Sequence, residues 1–266
     1  MVNKKPPCLF FILRHNDIMD DKEKNWLLHE KYEGNETAEY RADLVRLNAG
    51  EPLAYIIGNM PFLDCTINLS SRPLIPRTET EFWVGEVIEN SCEDRPSLKV
   101  LDIFAGSGCI GLALLKHLPN AQVDFAEKNS SHITQIKENI TANNIEANRA
   151  NYFASDMFED IPQKEYDYIF ANPPYISTED IGAVQESVLA WESPEALFAE
   201  DGGLSLIKKL IQTSRAYLSP AGALLIEFNT PQKDALGSFL AKENIHNFSF
   251  HKDQYSAWRM LELNFS

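Results

Sequence analysis

Asn172-Pro173-Pro174-Tyr175 stands directly after a hydrophobic run, Tyr166-Asp167-Tyr168-Ile169-Phe170, that reads as a strand. These residue types suit the holding of a planar NH2 group. Such a nitrogen is a poor nucleophile because its lone pair is delocalised. It improves when acceptors hold its two hydrogens, here the side-chain oxygen of Asn172 and the carbonyl of Pro173, while the nitrogen faces an electrophile. Pro173 and Pro174 fix φ and bring no N–H donor to compete for those acceptors. The ring of Tyr175 can lie flat against the held group. Asn-Pro is also a common turn dipeptide, so a rigid strand exit is the competing reading.

Upstream, Val100-Leu101-Asp102-Ile103-Phe104 reads as a strand that runs into a small-residue turn, Ala105, Gly106, Ser107 and Gly108, and then an apolar helix over residues 109–118. Glycines in such a turn let backbone approach a ligand, and a helix N-terminus favours anionic groups. A second strand, residues 122–126, ends in Glu127, 19 residues after Gly108. An acid at that point is placed to accept both ribose hydroxyls of an adenosine cofactor. Phe104 occupies the first glycine position of the dinucleotide fingerprint, so the turn departs from that pattern.

The elements that must position these groups alternate. From residue 98 onward strands and helices follow one another, with further helices expected over residues 131–143, 204–218 and 231–241. Further strands are expected over residues 151–154 and 223–228, and a closing hairpin over 247–251 and 258–264. Such β-α-β alternation implies a twisted, mostly parallel sheet with ligands beyond the carboxyl ends of its strands. Both motifs follow such ends, so they are expected to share one crevice. Residues 20–50 read as two short amphipathic helices stopped by Gly50 and Pro52. Residues 53–57 and 62–69 read as the strands of a hairpin turning at Gly58-Asn59. Arg72 to Arg77 reads as an extended connector, Thr78 or Thr80 as the cap of a helix over residues 81–89, and residues 91–97 as a polar linker.

Composition excludes several classes. No apolar run approaches the ~18 residues that span a bilayer, and the N-terminal run 8–13 is too short for a secretory signal core. Several acids in the first 35 residues argue against an intact organellar transit peptide. Four scattered cysteines and six histidines show no ligand spacing, so neither a zinc site nor a disulfide framework is expected. The net charge of −15, from 24 basic and 39 acidic residues, argues against duplex nucleic acid and favours a basic protein partner.

The chain resembles a known family, the protein-(glutamine-N)-methyltransferases that act on class I peptide chain release factors. Asn-Pro-Pro-Tyr resembles the catalytic loop of enzymes that methylate amide or exocyclic amine nitrogens. Asp102-Ile103-Phe104-Ala105-Gly106-Ser107-Gly108 is similar to the Asp-x-Phe-x-Gly-x-Gly turn of S-adenosylmethionine-binding enzymes. Gly50-Glu51-Pro52-Leu53-Ala54-Tyr55-Ile56-Ile57-Gly58 resembles the family's domain junction, and Pro76-Arg77-Thr78-Glu79-Thr80-Glu81 its Pro-Arg-x-Glu-Thr-Glu signature. The stretch Trp191-Glu192-Ser193-Pro194-Glu195-Ala196-Leu197-Phe198 with Asp201-Gly202-Gly203 matches a further segment, with one extra residue before the proline.

The resemblance implies an α/β fold: a Rossmann-like class I S-adenosylmethionine-dependent methyltransferase domain over residues 98–266. A small N-terminal helical domain, residues 1–52, would dock the partner, and residues 53–97 would supply a connecting β-hairpin and connector. Phe104, Ala105, Gly106, Ser107 and Gly108 would line the methionine part of the cofactor and Glu127 would hold its ribose. Asp156 would accept from the adenine amine with Met157 against the ring, although a turn cap is the alternative for Asp156. Asn172, Pro173, Pro174 and Tyr175 would grip the target glutamine amide. Arg77, Glu79 and Thr80 would close one side of the pocket, unless Arg77 and Glu79 simply form an ion pair between domains. The implied substrate is the glutamine of a Gly-Gly-Gln loop in a release factor, the enzyme acting as a monomer that pairs with it, without direct nucleic-acid or membrane contact. The runner-up is an amine methyltransferase acting on DNA adenine or ribosomal RNA guanine. The extra residue before Pro194 and the run Glu81-Phe82-Trp83-Val84 resemble fungal mitochondrial members, which implies the mitochondrial matrix, with the cytoplasm as the alternative.

Overall fold

Short buried apolar runs, each closed by a turn at its carboxyl end, form the middle of one central sheet. The computed structural model describes residues 21–91, 97–163 and 165–265. The apolar run 8–13, Cys8, Cys92 and residues 92–96 of the expected linker lie outside the described residues. The chain runs through α1 (Asp21–Tyr32), α2 (Ala38–Asn48), α3 (Leu53–Ile57), β1 (Asn59–Phe62), β2 (Cys65–Asn68) and α4 (Thr78–Ser91). It continues through β3 (Leu98–Ile103), α5 (Cys109–His117), β4 (Ala121–Glu127), α6 (Ser130–Ala142), β5 (Ala150–Ala154) and β6 (Tyr166–Ala171). A two-strand ladder of β7 (Ile176–Ser177) and β8 (Phe198–Ala199) brackets α7 (Glu186–Trp191) and α8 (Pro194–Leu197). The closing elements are α9 (Ser205–Ser214), β9 (Leu218–Glu227), α10 (Lys233–Lys242), β10 (Phe248–Lys252) and β11 (Trp258–Asn264).

Among the described residues the main sheet has seven strands in the order β10-β11-β9-β6-β3-β4-β5. β3, β4, β5, β6 and β9 pair in parallel, whereas β11 runs antiparallel to both β9 and β10. Helices cover both faces. Trp83, Ile110, Leu112, Ile136 and Ile140 fill one cluster; Ile207, Leu210, Ile211, Leu236 and Leu240 fill the other. Burial on both faces explains why β3 and β4 read as nearly continuous apolar runs. The winding direction reverses between β3 and β6, the kind of switch point where open α/β sheets take ligands. Ile103 pairs in register with Ala171, so Phe104 and Asn172 leave neighbouring strands at the same level. That register makes the crevice.

Two expectations from the sequence are corrected. Residues 53–57 form α3 and not the first hairpin strand; the hairpin is β1–β2, turning at Leu63 and Asp64, both with positive φ (41° and 59°) as a two-residue hairpin turn demands. A five-residue apolar run carries no decisive period, and burial on two sides settles it as helix. Leu53 and Ile56 join Leu27, Tyr40 and Leu47 in a small helical core, while Ala54 and Tyr55 join the main core. Glu51, just before α3, accepts from Arg46 at 2.9 and 2.8 Å and also from Arg72, and the Tyr55 hydroxyl donates to the Pro73 carbonyl at 2.7 Å. The second correction concerns Thr80, which caps no helix. α4 already begins at Thr78, and a buried acid draws the Thr80 hydroxyl inward.

Candidate active site

The turn after β3 is built from left-handed residues: Phe104 at φ 59°, Gly106 at 52° and Gly108 at 77°. Positive φ is costly for phenylalanine, and such strain concentrates at functional sites. Glu127, at the end of β4, fastens this turn. One carboxylate oxygen accepts from the Gly106 N–H at 2.9 Å and the other from the Asn129 N–H at 2.8 Å. The carboxylate is half-buried and keeps further lone pairs beyond these two bonds. A side chain at Gly106 would meet nothing closer than the Phe104 carbonyl at 3.9 Å, so this part of the turn borders open space. Beneath it, Asp102 is 1% exposed and accepts from the Gly111 N–H at 2.9 Å. Burial pushes its carboxyl up to about 8, against that hydrogen bond and with help from the charge of Glu127. The turn suits an adenosine cofactor: open backbone at Gly106 beside one oriented carboxylate.

Asp156 pairs with Lys128 at 3.2 Å on the surface beyond β5. Met157, also at positive φ (54°), turns into the core beside Phe158 and Ile161. No hydrogen bond among the described residues joins Asp156 or Glu79 to the groups around Asn172; the Glu79 carboxylate accepts from the Thr78 hydroxyl at 3.1 Å.

Asn172 begins the loop after β6. Its Nδ2 donates to the Thr80 hydroxyl at 3.3 Å, and no other group among the described residues bonds its side chain. No donor among them reaches the Pro173 carbonyl either. Two acceptors on the loop are therefore available to a planar NH2. Tyr175 is held at both ends. Its hydroxyl donates to Glu227 at 3.0 Å, and its backbone carbonyl accepts from Gln232 Nε2 at 2.7 Å. Burial raises the Tyr175 hydroxyl well above the usual phenol range, and the nearby Glu227 charge adds to the effect. The ring therefore stays a neutral donor.

Glu227, the last residue of β9, is 1% exposed. It accepts from the Thr80 hydroxyl at 2.6 Å and the Trp83 indole at 2.8 Å on one oxygen, and from Tyr175 on the other. Burial raises its carboxyl, opposed by Thr80, Trp83, Arg259 and Tyr175 in turn. Arg77 pairs with Glu192 at 2.6 Å, and the Ile75 N–H donates to the same carboxylate at 3.2 Å. Burial works against the Arg77 charge, but Glu192 outweighs it and the guanidinium is held more firmly protonated. Arg77 thus fastens the connector to the segment after α7; its ion-pair partner is Glu192 of the 98–266 domain, not Glu79.

Glu227, Trp83, Glu192 and Gln232 carry this scaffold, and sequence reasoning assigned none of them a role. The one local signal was an acid closing an otherwise apolar strand, Ala223-Leu224-Leu225-Ile226-Glu227, because a buried charge must have partners.

A family model described as the methyltransferase small domain matches residues 85–206. The release factor glutamine methyltransferase of Thermodesulfovibrio yellowstonii is 32% identical over 204 residues, covering 76% of this chain and 72% of that one. That of Flavobacterium psychrophilum is 31% identical over 240 residues, covering 88% and 83%. Two solved structures share the fold. The ribosomal protein L11 methylase of Lactobacillus delbrueckii subsp. bulgaricus gives a TM-score of 0.52 at 18% identity, covering 74% of this chain and 82% of that one. The hMettl16 catalytic domain in complex with MAT2A 3'UTR hairpin 1 gives 0.61 at 15% identity, covering 92% and 88%. Sheet order, Gly turn and crevice together define a Rossmann-like S-adenosylmethionine-dependent methyltransferase. Within that class the chain belongs to the release factor glutamine methyltransferase family.

Proposed function

We propose that this protein methylates the side-chain amide nitrogen of the glutamine in the Gly-Gly-Gln loop of a class I peptide chain release factor. The observation that carries this is the Asn172 carboxamide: its nitrogen is committed to Thr80 at 3.3 Å, so its oxygen is left for an amide N–H. S-adenosylmethionine, when bound, supplies a methyl carbon that the amide nitrogen takes as the C–S bond breaks, the bonding pair staying with sulfur and one N–H proton leaving to solvent. The chain's own residues position and desolvate. The Asn172 side-chain oxygen and the Pro173 carbonyl accept one hydrogen bond each from the amide NH2, turning the nitrogen lone pair toward the methyl. Pro174 keeps the loop rigid, and Tyr175 forms a flat wall whose hydroxyl is tied back to Glu227. Phe104 to Gly108 border the methionine part of the cofactor, and Glu127 presents its further lone pairs to the ribose. Asp156 and Met157 flank the adenine side. Arg77, Glu79 and Thr80 close the opposite wall. No general base is needed before attack, because the nitrogen becomes acidic only once it is methylated.

The helices before Gly50 are the proposed docking element, with Val45 of α2 68% exposed, and the −15 charge favours a basic partner. The mitochondrial matrix is the proposed compartment, on the residue pattern before Pro194. The test of the activity is direct. Purified protein, labelled S-adenosylmethionine and a total cell extract should place the label on one protein of release-factor mass. Label on RNA or DNA would overturn the reading and restore the nucleic-acid alternative.

A further inference from the structure

The proposed grip works only if the Asn172 carboxamide presents its oxygen, and not its NH2, to the substrate. The two ends of a carboxamide are nearly identical in shape, so packing alone does not choose between them. Something nearby must carry a polarity that does. In this protein that polarity begins at Glu227. Trp83 Nε1 can only donate, and it lies 2.8 Å from the same carboxylate oxygen that Thr80 approaches at 2.6 Å. The other oxygen takes the Tyr175 hydroxyl at 3.0 Å. Three donors therefore converge on one carboxylate that is 1% exposed, and each has a proton to give.

Thr80 has a single hydroxyl proton. Spent on Glu227, it leaves the Thr80 oxygen with lone pairs only, so the group facing it at 3.3 Å must be the Asn172 NH2. A donor in place of the Glu227 carboxylate would reverse the chain and turn the Asn172 oxygen away from the crevice. We propose that Thr80 and Glu227 are positioning residues, a one-way hydrogen-bond relay that holds the Asn172 carboxamide with its oxygen toward the substrate amide. The relay links three distant segments: Thr80 lies 92 residues before Asn172 and 147 before Glu227. It gives the Thr80 of the connector helix a task beyond forming a wall. It also fixes the loop twice, since Tyr175 answers to the same carboxylate.

This inference rests on the glutamine-methylation reading, and the experiment separates the two. Methylation of a purified class I release factor is measured for wild type, Thr80→Val, Thr80→Ser, Asn172→Ala and the double variant Thr80→Val/Asn172→Ala, with folding followed by thermal denaturation. Thr80→Val keeps the shape and removes the hydroxyl. Its kcat should fall about tenfold, the worth of one hydrogen bond that selects between two orientations, while the KM for S-adenosylmethionine stays the same. Thr80→Ser keeps the hydroxyl and should retain most of the rate. In the Asn172→Ala background the Val substitution should cost nothing further, because there is no carboxamide left to orient. If Val is not accommodated, Thr80→Ala removes the same hydroxyl without added bulk and carries the same expectations. A packing role predicts the reverse order, with Ser impaired and Val active, and that result overturns the relay. So does an additive double variant. A wild-type protein that leaves the factor unlabelled overturns the substrate reading itself, and the relay with it.

Discussion

Gly203 offers a perturbation whose size can be worked from the structure. Its φ is +81°, and a Cβ there would stand 2.0 Å from the Tyr175 carbonyl oxygen, 2.7 Å from the carbonyl carbon and 2.6 Å from Gln232 Nε2. Two of these three atoms are backbone, so no side-chain rotation relieves them. To reach even 3.0 Å, the Tyr175 carbonyl must retreat by 1.0 Å, and the Gln232 bond to it at 2.7 Å is strained as well. The left-handed conformation costs alanine about 1–2 kcal/mol. Overpacking adds about 1–3 kcal/mol. The sum, roughly 2–5 kcal/mol, is tolerable within a stability of about 5–15 kcal/mol. The larger effect falls on catalysis, since a ~1 Å misplacement in a reacting geometry costs about 10²-fold. Gly203→Ala should therefore fold, melt several degrees lower and methylate about a hundredfold more slowly. Gly202→Ala is the internal control. Gly202 is also left-handed at +63°, but its Cβ would meet nothing within 4 Å, so it should lose only the conformational cost of about 1–2 kcal/mol and little rate. Steady-state methylation beside thermal denaturation measures both. Equal rates in the two alanine variants would refute the claim that the Tyr175 backbone is held in place by close contact with Gly203.

Glu127→Ala should weaken S-adenosylmethionine binding by roughly 1.5–3 kcal/mol, the scale of hydrogen bonds to a charged group. Calorimetry showing unchanged affinity would remove Glu127 from the cofactor site. Asp102 binds its proton more tightly in the folded chain (about 8) than in the unfolded one (3.8). Its contribution is therefore complete below the unfolded value and lost as pH rises through the folded one. Wild type should lose stability relative to Asp102→Asn between about pH 5 and pH 8, by an amount on the order of several kcal/mol; parallel denaturant curves for both proteins across that range would contradict the assignment. Association with a basic release factor should slow as salt rises, because steering is screened beyond roughly 8–10 Å. Val45→Arg should raise the KM for the factor and leave that for S-adenosylmethionine alone; unchanged kinetics would place docking elsewhere.

The strands around the switch point were legible because each ends in a distinctive turn: Ala105 to Gly108 after one, Asn172-Pro173-Pro174 after the other. Their neighbourhood followed from alternation alone, since βαβ units leave few ways to arrange a parallel sheet. Residues 53–57 misled because a short apolar run fits a strand or a buried helix equally well, and only the second core, around Leu27 and Tyr40, decides it. Glu227 and Glu192 were illegible for another reason. Their partners Thr80 and Arg77 lie 147 and 115 residues away, and no local pattern encodes a pairing at that separation. The loop from Asn172 to Tyr175 was readable as a rigid strand exit, and what holds it in register was not.

The central claim is that the loop at Asn172 presents a glutamine amide for methylation. The most direct measurement incubates the purified protein with S-adenosylmethionine and a purified class I release factor, then sequences the Gly-Gly-Gln peptide by fragmentation mass spectrometry. A single methyl should sit on the side-chain nitrogen of that glutamine, and Asn172→Ala should form it at least ~10²-fold more slowly, the loss expected for one preorganised polar contact. A peptide that stays unmodified, or is modified as fast by Asn172→Ala as by wild type, would contradict the account.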